Sequence, residues 1–200
     1  MTTPRQTGFR IGCFHGKLTA EKQDSEAQLR NELYLIGMLE IELSRKESIQ
    51  IRLVAYEMPL HAGKTRGRCI DLFGYDQDFK PWIIELKGQD SNESIPKIAG
   101  QINGYAEHFV DIRESVRKEI QQKFHWKDFR FQGQAGKIIL ASREYWARQA
   151  KDKDWPEGIY CCSFSHIREV IKGDKVVLLE NNKGKGIVGL TVHNKLRRMK

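Results

Sequence analysis

No stretch of this chain stays apolar for long. The longest near-continuous run, Leu33–Leu39, falls far short of the ~18–20 residues that a membrane span needs. Residues 1–10 hold nothing like the apolar core of a secretory signal, so a cytoplasmic protein with no membrane partner is expected. Cysteine is scarce: the four thiols lie at 13, 69, 161 and 162, without a C-x-x-C. The adjacent pair Cys161–Cys162 is poor spacing for a zinc or iron–sulfur site, so free thiols buried on strands are expected. The six histidines show no H-E-x-x-H and no paired spacing, and read as structural or surface residues. The absence of G-x-S-x-G removes the nucleophile elbow of a serine hydrolase. Proline is rare, five in 200 residues, and no Pro/Gly/Ser linker or internal repeat divides the chain into parts.

What is present is a packable interior and an excess of positive charge. Hydrophobic residues make up 40% and charged residues 30%, the balance of a folded domain rather than a disordered segment. The formal net charge is +8, and the stretch from Lys183 to Lys200 carries six basic residues and no acidic one. Such a balance suits a polyanionic partner, nucleic acid first, although a basic terminus also serves solubility alone. Residues 1–24 show no periodicity and read as an irregular arm, 25–180 as the domain, and 181–200 as a basic tail.

From Ser25 a helix is expected, capped by Asp24 or Ser25, with Leu29, Leu33, Ile36 and Met38 or Leu39 at helical spacing. Ile49–Glu57 alternates as a strand. His61–Gly67 is a basic, glycine-containing loop, Arg68–Tyr75 a second strand, Asp76–Pro81 a turn, and Trp82–Lys87 a third strand. Ser94 and Pro96 mark a helix start. Ile98, Ile102, Tyr105, Phe109, Ile112 and Val116 then step by alternating fours and threes, predicting a long amphipathic helix. Lys137–Ser142 reads as a strand, Arg143–Lys151 as a helix, Gly158–Phe164 as a strand, His166–Ile171 as a short helix and Lys175–Leu179 as a last strand. The order predicts an α/β domain with a mixed central β-sheet flanked by helices.

Thirteen residues separate Asp71 from Glu85, and their midpoint is residue 78, inside the polar turn. A hairpin without a bulge places Asp71 directly across from Glu85 on one face, and Lys87, two residues on, shares that face. Like charges placed opposite each other need a counterion. Lys87 can be one. A magnesium ion, bound through one or two carboxylates with water and phosphate oxygens completing its shell, is a better one. Gln101 and Tyr105 stand one helical turn apart, so their polar ends form a row. Glu26, in the first turn of the opening helix, is already accounted for by the helix dipole. The bare E-x-K triplet says little: with 16 Glu and 19 Lys, about one or two copies arise by chance.

Taken together, Gly67-Arg-Cys-Ile-Asp71-Leu, Ile84-Glu85-Leu-Lys87 and Gln101-x-x-x-Tyr105 resemble the PD-(D/E)xK nuclease superfamily, whose core is restriction endonuclease-like. The glutamine–tyrosine helix is similar to the RecB and lambda-exonuclease branch. The opening Glu26-Ala-Gln-Leu29 and the strand leading to Glu57 are similar to the nuclease domain of NucS/EndoMS. The likeness covers roughly residues 26–166. It implies a Mg²⁺-dependent deoxyribonuclease, with Mn²⁺ able to substitute, that hydrolyses phosphodiesters by a metal-activated water. On this resemblance Asp71, Glu85 and the Leu86 carbonyl hold the metal and Lys87 is the catalytic lysine. Gln101 and Tyr105 orient phosphates, and Glu26 holds a water at the metal, with Glu32 and Glu57 as competitors for that place. Lys64, Arg66 and Arg68 in the loop and Lys195, Arg197 and Arg198 in the tail would contact the DNA backbone. Isoleucine stands where the motif's proline would precede Asp71. Mismatch specificity is not implied, because the residues before position 26 are too few for the extra DNA-binding domain of NucS proteins. Endo- or exonuclease action and a homodimer stay open. The rival expectation is a non-catalytic nucleic-acid-binding or assembly protein on a nuclease-like scaffold.

Overall fold

The computed structural model describes residues 8–13, 26–44, 47–61, 69–149, 156–164, 176–179 and 187–191. Helix α1 (Glu26–Ile36) buries Leu29 and Leu33 and stops at Gly37, whose φ of 76° only glycine adopts without cost. The Gly37 N–H closes the last turn on the Leu33 carbonyl at 3.1 Å. Met38 and Leu39 therefore do not continue the helix. They open a strand, β1 (Met38–Ser44), in which Leu39 and Ile41 are buried and Glu40 is partly exposed. The expected helix ran too far because 33, 36 and 39 also fit a period near 3.6. The alternation that decides the matter begins only after the glycine.

Strands β1, β2 (Glu47–Pro59), β3 (Cys69–Tyr75) and β4 (Pro81–Lys87) form an antiparallel meander. Strands β5 (Gly136–Ser142) and β6 (Tyr160–Phe164) then add parallel to β4, so the sheet is mixed, as expected for this order of elements, and it is also curled. Strands β7 (Val176–Leu179) and β8 (Ile187–Thr191) follow β6, and β8 pairs with β1, which closes the strand order. Strand β8 falls within the stretch read as a tail.

Helix α2 (Ile95–Phe124) lies over one face of the sheet. Its buried residues Ile98, Ile102, Tyr105, Phe109 and Val116 pack on Phe73, Ile83 and Ile139. Ser94 occupies the N-cap and Pro96 the first turn, as read from the sequence, although the serine hydroxyl makes no capping bond. The opposite face carries Leu72, Trp82, Ile84, Leu86 and Ile138 beneath α1. Helix α3 (Arg143–Gln149) follows β5 directly and buries Tyr145 and Trp146. Residues 8–13 are part of this core: Phe9 and Ile11 are buried, and their N–H groups donate to the Glu119 carboxylate of α2 at 2.7 and 3.0 Å. Cys161 and Cys162 are buried free thiols on β6, as expected. Cys69 on β3 is half-buried, and Cys13 lies half-buried in the 8–13 segment rather than on a strand. The expected helix His166–Ile171 lies outside the described residues.

The β3–β4 hairpin sets the site. Leu72 faces Ile84 and Tyr75 faces Pro81, pairs symmetric about residue 78. Asp76 fixes the turn: its Oδ1 accepts the N–H groups of Asp78 and Lys80 at 3.0 Å, and its Oδ2 accepts Trp82 Nε1–H at 2.9 Å. Every residue of β4 is buried, Glu85 and Lys87 included.

Candidate active site

A central strand buried along its whole length has no ordinary use for two charges, and the two on β4 are organised. The Glu85 side chain is 3% exposed and that of Lys87 7%. Glu85 Oε1 accepts from Lys87 Nζ and from Gln101 Nε2, both at 2.9 Å. Glu85 Oε2 is buried and finds no hydrogen-bond partner among the described residues. Gln101 Nε2 also reaches Tyr105 Oη at 2.5 Å, so the row expected on α2 exists and leans on β4. Lys87 Nζ has a second acceptor, Glu93 Oε2 at 3.0 Å, and Lys97 holds the other Glu93 oxygen at 2.7 Å.

Asp71, on β3, directs Oδ2 to the Leu86 N–H at 2.9 Å, while Oδ1 lies 3.3 Å from Arg30 Nη1. Helix α1 supplies that arginine and, one turn earlier, Glu26, whose Oε2 accepts the Gly88 N–H at 3.2 Å just beyond β4. Glu57 on β2 faces Arg30 rather than Glu85, with Oε1 2.7 Å from Arg30 Nη2. Asp71, Glu85, Lys87, Gln101, Tyr105 and Glu26 are thus linked through hydrogen bonds to neighbouring parts of one region around the end of β4. Glu32 is on α1, but its side chain is outside the described set. So are Lys64, Arg66, Arg68, Lys195, Arg197 and Arg198.

Three residues at this place were not singled out for their contacts. Arg30 was legible, because it stands four residues after Glu26 on the same helical face. The Arg30-facing role of Glu57 and the grip of Glu93 on Lys87 had no sequence signal. Both depend on where a bulge and a loop deliver a side chain. The loop carrying Glu93 is held by α3: Tyr145 Oη–H donates to the Glu93 carbonyl at 2.9 Å, and Arg148 donates to the carbonyls of Gln89 and Ser91.

The electrostatics are those of acids short of positive charge. Burial, with Asp71 nearby adding to it, pushes the Glu85 carboxyl up to about 8. Burial also raises Asp71, against the pull of the Leu86 N–H and Arg30, and it raises Glu26. At Lys87 burial works to lower the value, but Glu85, Glu26 and Glu93 together outweigh it and hold the ammonium firmly charged. Burial pushes the Tyr105 hydroxyl up to about 12, so it is a neutral donor and acceptor. Among the described residues no three acidic, imidazole or thiol groups converge to hold a metal by themselves. Two carboxylates, one with a buried and unpartnered oxygen, fit instead the partial shell in which magnesium keeps water and phosphate oxygens.

A cavity of about 1140 Å³ lies elsewhere, lined by Asn103, Val110 and Arg113 of α2, Lys137 of β5 and Tyr160 of β6, and includes none of the residues above. No helix among the described residues is long and apolar enough to cross a membrane. No family model matches the chain, and neither does any curated protein or solved structure.

Proposed function

We propose that this protein is a Mg²⁺-dependent deoxyribonuclease, with Mn²⁺ able to substitute, built on a restriction endonuclease-like core. The observation that carries the reading is Glu85: a carboxyl group buried in the middle of the sheet, tied to Lys87 through one oxygen and without a partner among the described residues at the other. A purely structural ion pair has no need of that unpartnered oxygen, since buried polar atoms are nearly always satisfied. The resemblance of the Asp71, Glu85-x-Lys87 and Gln101-x-x-x-Tyr105 motifs supports the same reading, as does the net charge of +8.

Asp71 and Glu85, with the Leu86 carbonyl, would hold the cation, which supplies Lewis acidity and offsets the phosphate charge when bound. Lys87 keeps its proton, so it serves as a hydrogen-bond donor to the attacking water or to the phosphoryl oxygen and not as a base. Gln101 holds Glu85 in place with one N–H and spends the other on Tyr105, whose hydroxyl proton is the donor left for the phosphate. Glu26, fixed on the Gly88 N–H, would hold a water at the cation.

The test is metal-dependent cleavage of labelled duplex, single-stranded, flapped and mismatched DNA, with Asp71→Ala and Lys87→Ala beside the wild type. Cutting that requires Mg²⁺ or Mn²⁺ and is lost in both variants is the expected result. Folded protein that binds these DNAs and cuts none would turn the reading to a non-catalytic nucleic-acid-binding scaffold.

A further inference from the structure

We infer that Arg30 is a resident counter-ion standing on Asp71 where the cation would bind, and that Glu57 is the seat to which it withdraws. The inference rests on the metal-dependent reading and deepens it. Of the two Asp71 oxygens, Oδ2 is committed to the Leu86 N–H, so Oδ1 is the oxygen with most capacity left, and Arg30 Nη1 faces it at 3.3 Å. The same guanidinium holds Glu57 Oε1 at 2.7 Å through Nη2. Charge-assisted N–H···O bonds settle at about 2.7–2.9 Å, so the grip on Glu57 is the full one and the grip on Asp71 the loose one. Arg30 Nε is buried without a partner among the described residues, so the fork is not fully satisfied where it stands.

Glu57 is placed for this exchange. Its flanking residues Tyr56 and Met58 pair with Leu72 and Ile70, which sets it beside Asp71 across β2 and β3. Its backbone is left-handed, φ 45°, a strained setting for a glutamate that needs support from its surroundings. Arg10 gives that support, donating to the Glu57 carbonyl at 3.1 Å and lying 3.5 Å from its carboxylate. With its side chain 40% exposed, Glu57 can keep a guanidinium that leaves the more enclosed Asp71. A divalent cation arriving at Asp71 repels Arg30, and only molecules whose Arg30 has withdrawn bind it. Apparent affinity is scaled by that fraction.

Metal-stripped protein titrated with Mn²⁺ alone, read by the electron paramagnetic resonance of free Mn²⁺, tests this without any turnover. Wild type, Arg30→Gln, Glu57→Gln and the double variant are compared, with circular dichroism confirming that each is folded. Arg30→Gln should bind Mn²⁺ roughly tenfold tighter, about 1.4 kcal/mol. Glu57→Gln should bind it about threefold weaker or worse, and that loss should vanish in the double variant, because it runs through Arg30. If Arg30→Gln does not fold, Arg30→Met, which keeps an unbranched stem in the half-buried place but carries no charge, should still bind about threefold tighter or more than wild type. A wild type that binds Mn²⁺ with an affinity unmoved by Arg30→Gln overturns this inference alone. So does a Glu57→Gln effect equal in both backgrounds. Failure of wild type and Arg30→Gln alike to bind Mn²⁺ overturns both this inference and the metal-dependent reading.

Discussion

Replacing Glu85 by glutamine removes a charge from the middle of the sheet while keeping its shape and the Oε1 that accepts from Gln101. In metal-free protein the Glu85 carboxyl sits at about 8, against an ordinary value of 4.5. Between those two pH values the unfolded chain has released the proton and the native chain still holds it. Stability therefore falls as pH rises across that interval. At about 1.36 kcal/mol per pH unit, the full cost by pH 8 is about 5 kcal/mol, and by pH 7 about 3 kcal/mol. The glutamine variant has no proton to lose there. Urea denaturation in EDTA should show the two proteins close together at pH 4.5 and the variant ahead by about 2–3 kcal/mol at pH 7. Lys87 stays partnered throughout, because Glu93 holds it at 3.0 Å. In excess Mg²⁺ the wild type should recover most of the difference while the variant gains nothing, and the variant should cut no DNA. A variant no more stable than wild type at any pH, with a gap that does not widen between pH 4.5 and 7, would refute the reasoning. It would mean that Glu85 carries its charge in the native state at no cost.

Three further outcomes are expected. Gly136→Ala places a Cβ against the Trp82 ring, so overpacking at the β4–β5 pair should cost about 1–3 kcal/mol, read as a lowered urea midpoint with unchanged slope. Burial raises the Cys161 thiol to about 12 and the Cys162 thiol well above its ordinary value. Brief iodoacetamide treatment of native protein should label Cys13 first and the half-buried Cys69, whose thiol burial also raises, more slowly, leaving the adjacent pair to react only after unfolding, as peptide mass mapping will show. Burial also raises Tyr34, Tyr105 and Tyr145 to about 12. Their contribution to stability is present below about pH 10, where unfolded tyrosine titrates, and is lost as pH climbs through 12. Phenolate absorbance from these three should rise together with loss of the circular dichroism signal and not before it.

The residues alone determined a good part of this protein. Two periodicities were enough to read α2 and the strands β2 to β6, because a buried face repeats every 3.6 residues on a helix and every two on a strand. The distance between Asp71 and Glu85, centred on a polar turn, predicted the hairpin register, because a two-residue repeat leaves no freedom once the turn is fixed. Strand β1 was hidden, since Leu33, Ile36 and Leu39 satisfy helical spacing across a glycine that only the three-dimensional chain shows turning left-handed. The surroundings of the site were decided by tertiary structure. Arg30 meets Asp71, Glu57 faces Arg30, Glu93 reaches Lys87, and Phe9 and Ile11 hang from Glu119, all across gaps of sequence that no local repeat spans. A sequence can announce which side chains share a face of one element. Which charge ends up beside which carboxylate depends on how separate elements pack, and that is set by the burial of the whole core.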